Sequence, residues 1–238
     1  MTPRLPSLTI KAAAAAAAIL LSSASMAATV TVGPANGVPD YDPFGWPSQG
    51  PYANLTGYQQ IYASSLFGSG TYNINSVTFY IDQGDALGFD GATYAVNFGY
   101  SSTTPAAFAA NAVLESPVFT AFASKTITTG TLASSIGWEL TFSFASTPFT
   151  YNTANGNLLF DVDISAISAS GGDIYFQTTT SPLTASILQD GMGACCSTSG
   201  GLVTSFDVTA VPEPETYAMM LAGLGALGFM ARRRQFKG

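Results

Sequence analysis

The sequence of 238 residues contains no histidine. That absence removes Ser-His-Asp and Cys-His nucleophilic sites, histidine-ligated zinc and imidazole proton shuttles. Cysteine is nearly as scarce: Cys195 and Cys196 are the only two, too few for a four-sulfur metal site. Between Ala28 and Val211 the sole basic residue is Lys125, set against twelve Asp and Glu, so this stretch carries a net charge of about −11. Such a field disfavours nucleic acid and anionic lipid and attracts cations. Glycine-rich phosphate motifs are missing, and Lys125 stands in Ala-Ser-Lys-Thr rather than after the required glycines. No uncharged apolar run reaches the roughly 20 residues of a comfortable bilayer span.

What the chain does have is concentrated first at its ends. Arg4 and Lys11 lead into an apolar stretch over 12–21, and Ser25-Met26-Ala27 places small residues before a cut. This is the layout of a secretory signal peptide over 1–27, handled by the Sec export machinery and removed after Ala27. The other end, 211–238, has three parts: Val211-Pro212-Glu213-Pro214-Glu215, an uncharged stretch of 15 residues over 217–231, and Arg232-Arg233-Arg234. A stretch that short spans a membrane only by thinning it locally or by using flanking residues. The arginines and Lys237 favour the cytoplasmic side, which leaves everything before Pro212 outside. The alternative is an apolar helix packed into a core at the chain end.

The Val-Pro-Glu-Pro-Glu run, with the apolar stretch and arginine cluster behind it, resembles the C-terminal sorting element of PEP-CTERM proteins. That resemblance implies export in a Gram-negative bacterium, many of which make extracellular polysaccharide. It also implies recognition and cleavage near Pro-Glu-Pro by an exosortase-type membrane enzyme, by way of an inner-membrane-tethered intermediate with a short transmembrane sorting helix. A sorting element reports destination rather than activity.

The middle, 28–210, reads as β structure. Strand-like segments fall at 29–32, 76–82, 93–100, 138–144, 158–164, 173–179 and 202–209, separated by Gly, Asn, Pro or Ser clusters. Val77-Thr78-Phe79-Tyr80-Ile81-Asp82 and Leu140-Thr141-Phe142-Ser143-Phe144 alternate apolar with polar, so each buries one face. Segments 55–67 and 113–122 supply further strands, and 106–114 one short alanine-rich helix. Residues 149–163, with Gly156-Asn157-Leu158-Leu159, are similar to a hairpin or strand entry found in many PEP-CTERM exported proteins. Many strands without alternating helices make this an all-β, two-sheet antiparallel sandwich or jelly roll.

Carboxylates are the catalytic groups left. Asp161 and Asp163, flanking Val162 in one strand, project from the same face about 7 Å apart. With Glu115 or Glu139 they would suit glycoside hydrolysis or lyase chemistry, or they would bind calcium with backbone carbonyls. The plainer reading is a solvated strand face with Leu158, Phe160, Val162 and Ile164 turned inward. Asp82, Asp85 and Asp90 form a looser acidic loop with glycines, suited to a hard cation but lacking EF-hand spacing. Cys195 and Cys196 are expected to close a vicinal disulfide that shapes a turn, with free thiols or intermolecular pairing as alternatives. Tyr41, Phe44, Trp46, Tyr52, Tyr58 and Tyr62 lie among prolines and glycines, where rings on loops would stack on sugar faces or tuck under a sandwich edge.

These features lead us to expect an exported, surface-associated structural or adhesive protein of the extracellular matrix, not an enzyme. Its partners would be the exosortase, the export machinery, transiently the inner membrane, and extracellular polysaccharide. The rival expectations are a carbohydrate-binding module and a carboxylate-based hydrolase or lyase.

Overall fold

A computed structural model describes residues 27–34, 38–41, 55–84, 93–115, 120–126, 138–166, 174–190, 193–212 and 214–235. The chain divides into two units, Ala27–Thr209 and a second one comprising Met1–Met26 with Ala210–Gly238. The signal peptide expected before Ala27 lies outside the described residues.

The strands of the first unit follow in chain order: β1 (Ala27–Val32), β2 (Val38–Tyr41), β3 (Leu55–Tyr62), β4 (Thr71–Gly84), β5 (Thr93–Ser101), β6 (Thr120–Thr126) and β7 (Trp138–Ser143). After them come β8 (Phe149–Asn152), β9 (Asn157–Ala166), β10 (Ile174–Thr179), β11 (Thr184–Asp190), β12 (Gly193–Ser199), β13 (Gly201–Leu202) and β14 (Thr204–Ala210). They form two antiparallel sheets in a sandwich-like arrangement. One runs β1-β14-β4-β10-β13, with β2 on β10 and β7 and β8 on β4; the other runs β12-β11-β3-β9-β5-β6.

Period-two patterning explains which faces meet. In β4, Val77, Phe79 and Ile81 are buried, and opposite them Leu140 and Phe142 of β7 point the same way. The outward partners Thr78 and Thr141 join their hydroxyls at 2.8 Å. From the second sheet, Tyr58, Tyr62, Phe98, Leu158, Phe160 and Val162 enter the same core. Rings cross between sheets: Phe79 meets Phe160 at 5.2 Å, and Tyr62 meets Phe206 edge-on at 4.8 Å. Edge-on and tilted contacts of this kind add to plain area burial because the ring edge and face carry opposite partial charge.

The outer face of the second sheet is also partly covered. Helix α1 (Pro105–Asn111) starts where the Thr104 hydroxyl accepts from the Ala107 N–H at 3.2 Å, with Pro105 preset for the first turn. It ends at Ala112, in the left-handed region at φ 48°. Its Phe108 packs with Ile61, Leu159, Ala185 and Ile187 in a second apolar cluster. The helix expected over 106–114 is therefore present and shorter. The strand expected over 113–122 begins only at Thr120, and Leu114 packs against the second cluster instead. The hairpin of β11 and β12 was not anticipated: its Ser, Thr, Gly and Cys content reads as loop, and pairing with β3 makes it sheet.

The second unit contains helix α2 (Pro214–Gln235). Proline opens it, as suits a first helical position, and Arg232, Arg233 and Arg234 occupy its last turn, opposing the negative end of the helix dipole. Met219, Leu221 and Met230 are exposed. The membrane-spanning helix expected here is not found: among the described residues no helix is long and apolar enough to cross a membrane. The physical reason is that α2 has 22 residues, but its uncharged stretch has 15.

Candidate functional sites

The carboxylate pair sits on the outer face of the second sheet. Strand β9 lies between β3 and β5, so Asp161 has Gln59 and Asn97 as its cross-strand neighbours. The Gln59 amide donates to Asp161 Oδ1 at 2.9 Å and Asn97 donates to Oδ2 at 3.0 Å. The inward turn of Leu158, Phe160, Val162 and Ile164 is as expected, but Asp161 is not solvated: it is 7% exposed, whereas Asp163 is open. Burial pushes the Asp161 carboxyl above the ordinary carboxylate value; the two amide bonds pull it down, and Asp163 adds to the rise.

Glu115 belongs to the same face. Its main chain is clamped by Gln59, which accepts from the Glu115 N–H at 3.0 Å and donates to its C=O at 2.9 Å. The Glu115 carboxylate accepts from the Ser101 hydroxyl at 2.8 Å. Glu139 is elsewhere, exposed on β7 of the other sheet beside inward-facing Leu140. The four carboxylates considered for hydrolysis therefore divide between opposite faces of the sandwich. Among the described residues, no group of three or more Asp, Glu or Cys comes together to hold a metal ion. Asp82 falls in β4, while Asp85 and Asp90 lie outside the described residues.

The adjacent Gln60 points the other way, into the core, and is fully buried. It grips the main chain of Leu202 twice, accepting from the N–H and donating to the C=O, both at 3.0 Å. It also donates to the Thr184 hydroxyl at 3.0 Å and accepts from the Tyr58 hydroxyl. One side chain thus ties β3 of the second sheet to β13 of the first. Nearby, Tyr62 and Thr204 share a hydroxyl bond at 2.9 Å. Burial raises the Tyr62 and Tyr94 phenols far above the ordinary tyrosine value, so both stay neutral.

The aromatic binding surface is corrected in part. Tyr58 and Tyr62 are wholly buried core residues, because β3 alternates and its even-numbered residues face inward. Tyr41 ends β2, and Phe44, Trp46 and Tyr52 lie outside the described residues. The cysteine expectation also changes. Cys195 and Cys196 both fall within strand β12, at the point where its register against β11 shifts, and Cys196 is a free thiol packed against the core.

Sequence reasoning missed a cleft of about 310 Å³ where β10 and β13 approach β11 and β12. Seven of its nine lining residues carry hydroxyls, and none is charged. Thr179 forms part of its wall, and two glycines allow the approach. Gly200, at φ +105°, would place a Cβ 2.0 Å from the Thr179 carbonyl oxygen, and Gly33 would place one 2.6 Å from the Thr179 Cβ. The sequence signals were Thr178-Thr179-Thr180 and Ser197-Thr198-Ser199, which read as loop composition.

In the sorting segment, Val211 and Pro212 follow β14 directly, while Pro214 and Glu215 already belong to α2. Glu213 lies outside the described residues. No residue intervenes between strand and motif. Residues 210–234 match the PEP-CTERM protein-sorting motif. The chain thus carries the signal of an exosortase-sorted, exported, cell-surface-associated protein. No curated protein matches it in sequence. Among solved structures it is similar to the cysteine protease and lectin-like domains of Cwp84, a surface layer associated protein of Clostridium difficile, at 11% identity and a TM-score of 0.37. That match covers 66% of this chain, which spans only about a third (33%) of the other.

Proposed function

We propose that this protein is a non-enzymatic structural or adhesive component of the extracellular matrix, held at the inner membrane by its sorting segment until exosortase processing releases it to the surface. The observation that carries this reading is the sorting motif at 210–234, joined without a linker to the last strand of a β-sandwich body. The leader directs the chain to the Sec machinery. The apolar stretch of α2 then associates with the membrane, with its arginines drawn to the anionic headgroups.

The chemistry of the body fits display better than turnover. It has no histidine; its buried carboxylate, Asp161, is occupied by two amides, and Glu139 is on the other sheet. The excess of acids would let bridging cations, calcium among them, link the body to matrix polymers. A chain ending at Ala210 tests the reading. It should leave the membrane fraction and appear in the periplasm or medium, with a far-UV spectrum that loses the helical signal of α2 and keeps that of the sheets. Membrane association equal to that of the full chain would refute the role given to the tail.

A further inference from the structure

We propose that the hydroxyl-lined cleft between the two sheets is a binding site for a neutral polyhydroxylated ligand, a saccharide unit. This rests on the display reading for its setting, but it concerns a site that reading does not use. At about 310 Å³ the cleft sits at the small end of ligand pockets, enough for one or two sugar rings.

Three observations carry the assignment. The first is the hydroxyl of Ser186. This residue is only 1% exposed and lines the cleft, and what is exposed of it faces the cleft, whereas the hydroxyl of neighbouring Thr184 is engaged within the protein, accepting from Gln60 and donating to the Ile61 carbonyl. The Ser186 hydroxyl is thus left to bond with whatever fills the cleft, and a ligand hydroxyl there would meet it.

The second is the charge pattern. Nothing in the lining is ionised, and the surrounding body carries one basic residue against twelve acids. Uronates, sulfates and phosphates would meet repulsion with no compensating cation. Serine and threonine hydroxyls donate and accept alike, so they match the mixed donors and acceptors of a neutral sugar.

The third is position. Strands β1 and β14 pair from Ala27↔Thr209 at one end to Val32↔Thr204 at the other. The chain leaves for the sorting segment at the Thr209 end. The cleft lies at the Val32 end, where Gly33 packs on Thr179 and Leu202 precedes Thr204 by two residues. From Thr204 to Ala210 the strand runs about 20 Å, so the cleft lies at the far end of β14 from the point where the chain leaves the sheet. Walls built from rigid strands, with Leu202 held by Gln60, keep the cleft preformed.

Affinity electrophoresis of the exported full chain, purified in mild detergent, tests the assignment. The gels contain dextran or galactomannan as neutral polymers and alginate as the anionic one. Retention by a neutral polymer and not by alginate is expected. Ser186→Ala should weaken that retention about fivefold, the worth of one hydrogen bond, while holding the melting temperature, because the lost hydroxyl is left to the cleft rather than engaged within the protein. Ser199→Trp, at an exposed position on the rim, should abolish it with the fold intact. Release of the retained protein by free glucose or mannose would identify a single ring as the ligand. Resistance to those sugars would identify linked rings, and either outcome supports the site. Retention by alginate alone, by no polymer, or undiminished in both variants would overturn it. Failure of this kind leaves the fractionation result for the chain ending at Ala210 untouched, so the two readings fail separately.

Discussion

Replacing Gln60 by leucine should cost the body about 3 kcal/mol, because this side chain ties its two sheets together through several buried hydrogen bonds. Gln60 makes four hydrogen bonds in a fully buried setting: two with the Leu202 main chain, one with Thr184 and one with Tyr58. At about 1 kcal/mol net for each bond the gross loss is about 4 kcal/mol. Leucine returns about 1 kcal/mol through apolar burial in the same volume. Some of the freed groups keep a partner: the Leu202 carbonyl still accepts from Thr204 at 2.9 Å, and its N–H reaches the Tyr58 oxygen only at 3.4 Å. Urea unfolding of the full chain in detergent, followed by tryptophan fluorescence and far-UV circular dichroism, gives the loss directly. With a slope of about 2 kcal/mol/M the midpoint should fall by about 1.5 M. A midpoint shift below about 0.5 M for Gln60→Leu would refute the tie.

Asp161 sets a pH dependence whose sign follows from burial. Its folded-state pKa is raised, so the native state binds the proton more tightly than the unfolded chain, and this contribution is lost as pH rises from the ordinary carboxylate value through the raised one. Asp161→Asn should remove that downward step from a plot of unfolding free energy against pH, and an unchanged profile would place the titration elsewhere. The asparagine oxygen can still accept from Gln59, whose orientation is pinned by Glu115, while Asn97 reverses its amide, so stability at neutral pH should change by less than about 1 kcal/mol. Gly200→Ala, at φ +105° with Thr179 oxygen 2.0 Å from the new carbon, should cost about 3 kcal/mol or more by thermal melting; a loss below about 1 kcal/mol would mean that the turn relaxes freely.

The outer layers of the functional reading were legible because they depend on contiguous residues. A sorting signal is read by receptors as an extended string, so Val211-Pro212-Glu213-Pro214-Glu215 and the arginines behind it declare themselves without a fold. Strands such as β4 and β7 are equally plain, since apolar residues at every second position can bury only one face. The membrane span was over-read from its neighbours: a motif that usually precedes a membrane helix does not lengthen a stretch of 15 uncharged residues.

The local sequence around Cys195, Ser186 or Asp161 carries no such signal. β12 is rich in Ser, Gly and Cys, and it becomes a strand because it folds back on β11, which β3 from far away in the chain holds in the sheet. Asp161 looked like a solvated carboxylate; Gln59 from β3 and Asn97 from β5, far away in the chain, bury and occupy it. By itself the sequence determined export, the sorting address, the acidic charge and the all-β body, since each follows from composition or from spacing along one segment. Only the tertiary structure decided which polar side chains are buried, that Gln60 joins the sheets, and that hydroxyls from β10, β11 and β12 share one cleft. Those features exist where segments distant in the chain pair or pack, and strand register, rather than residue type, chooses the neighbours.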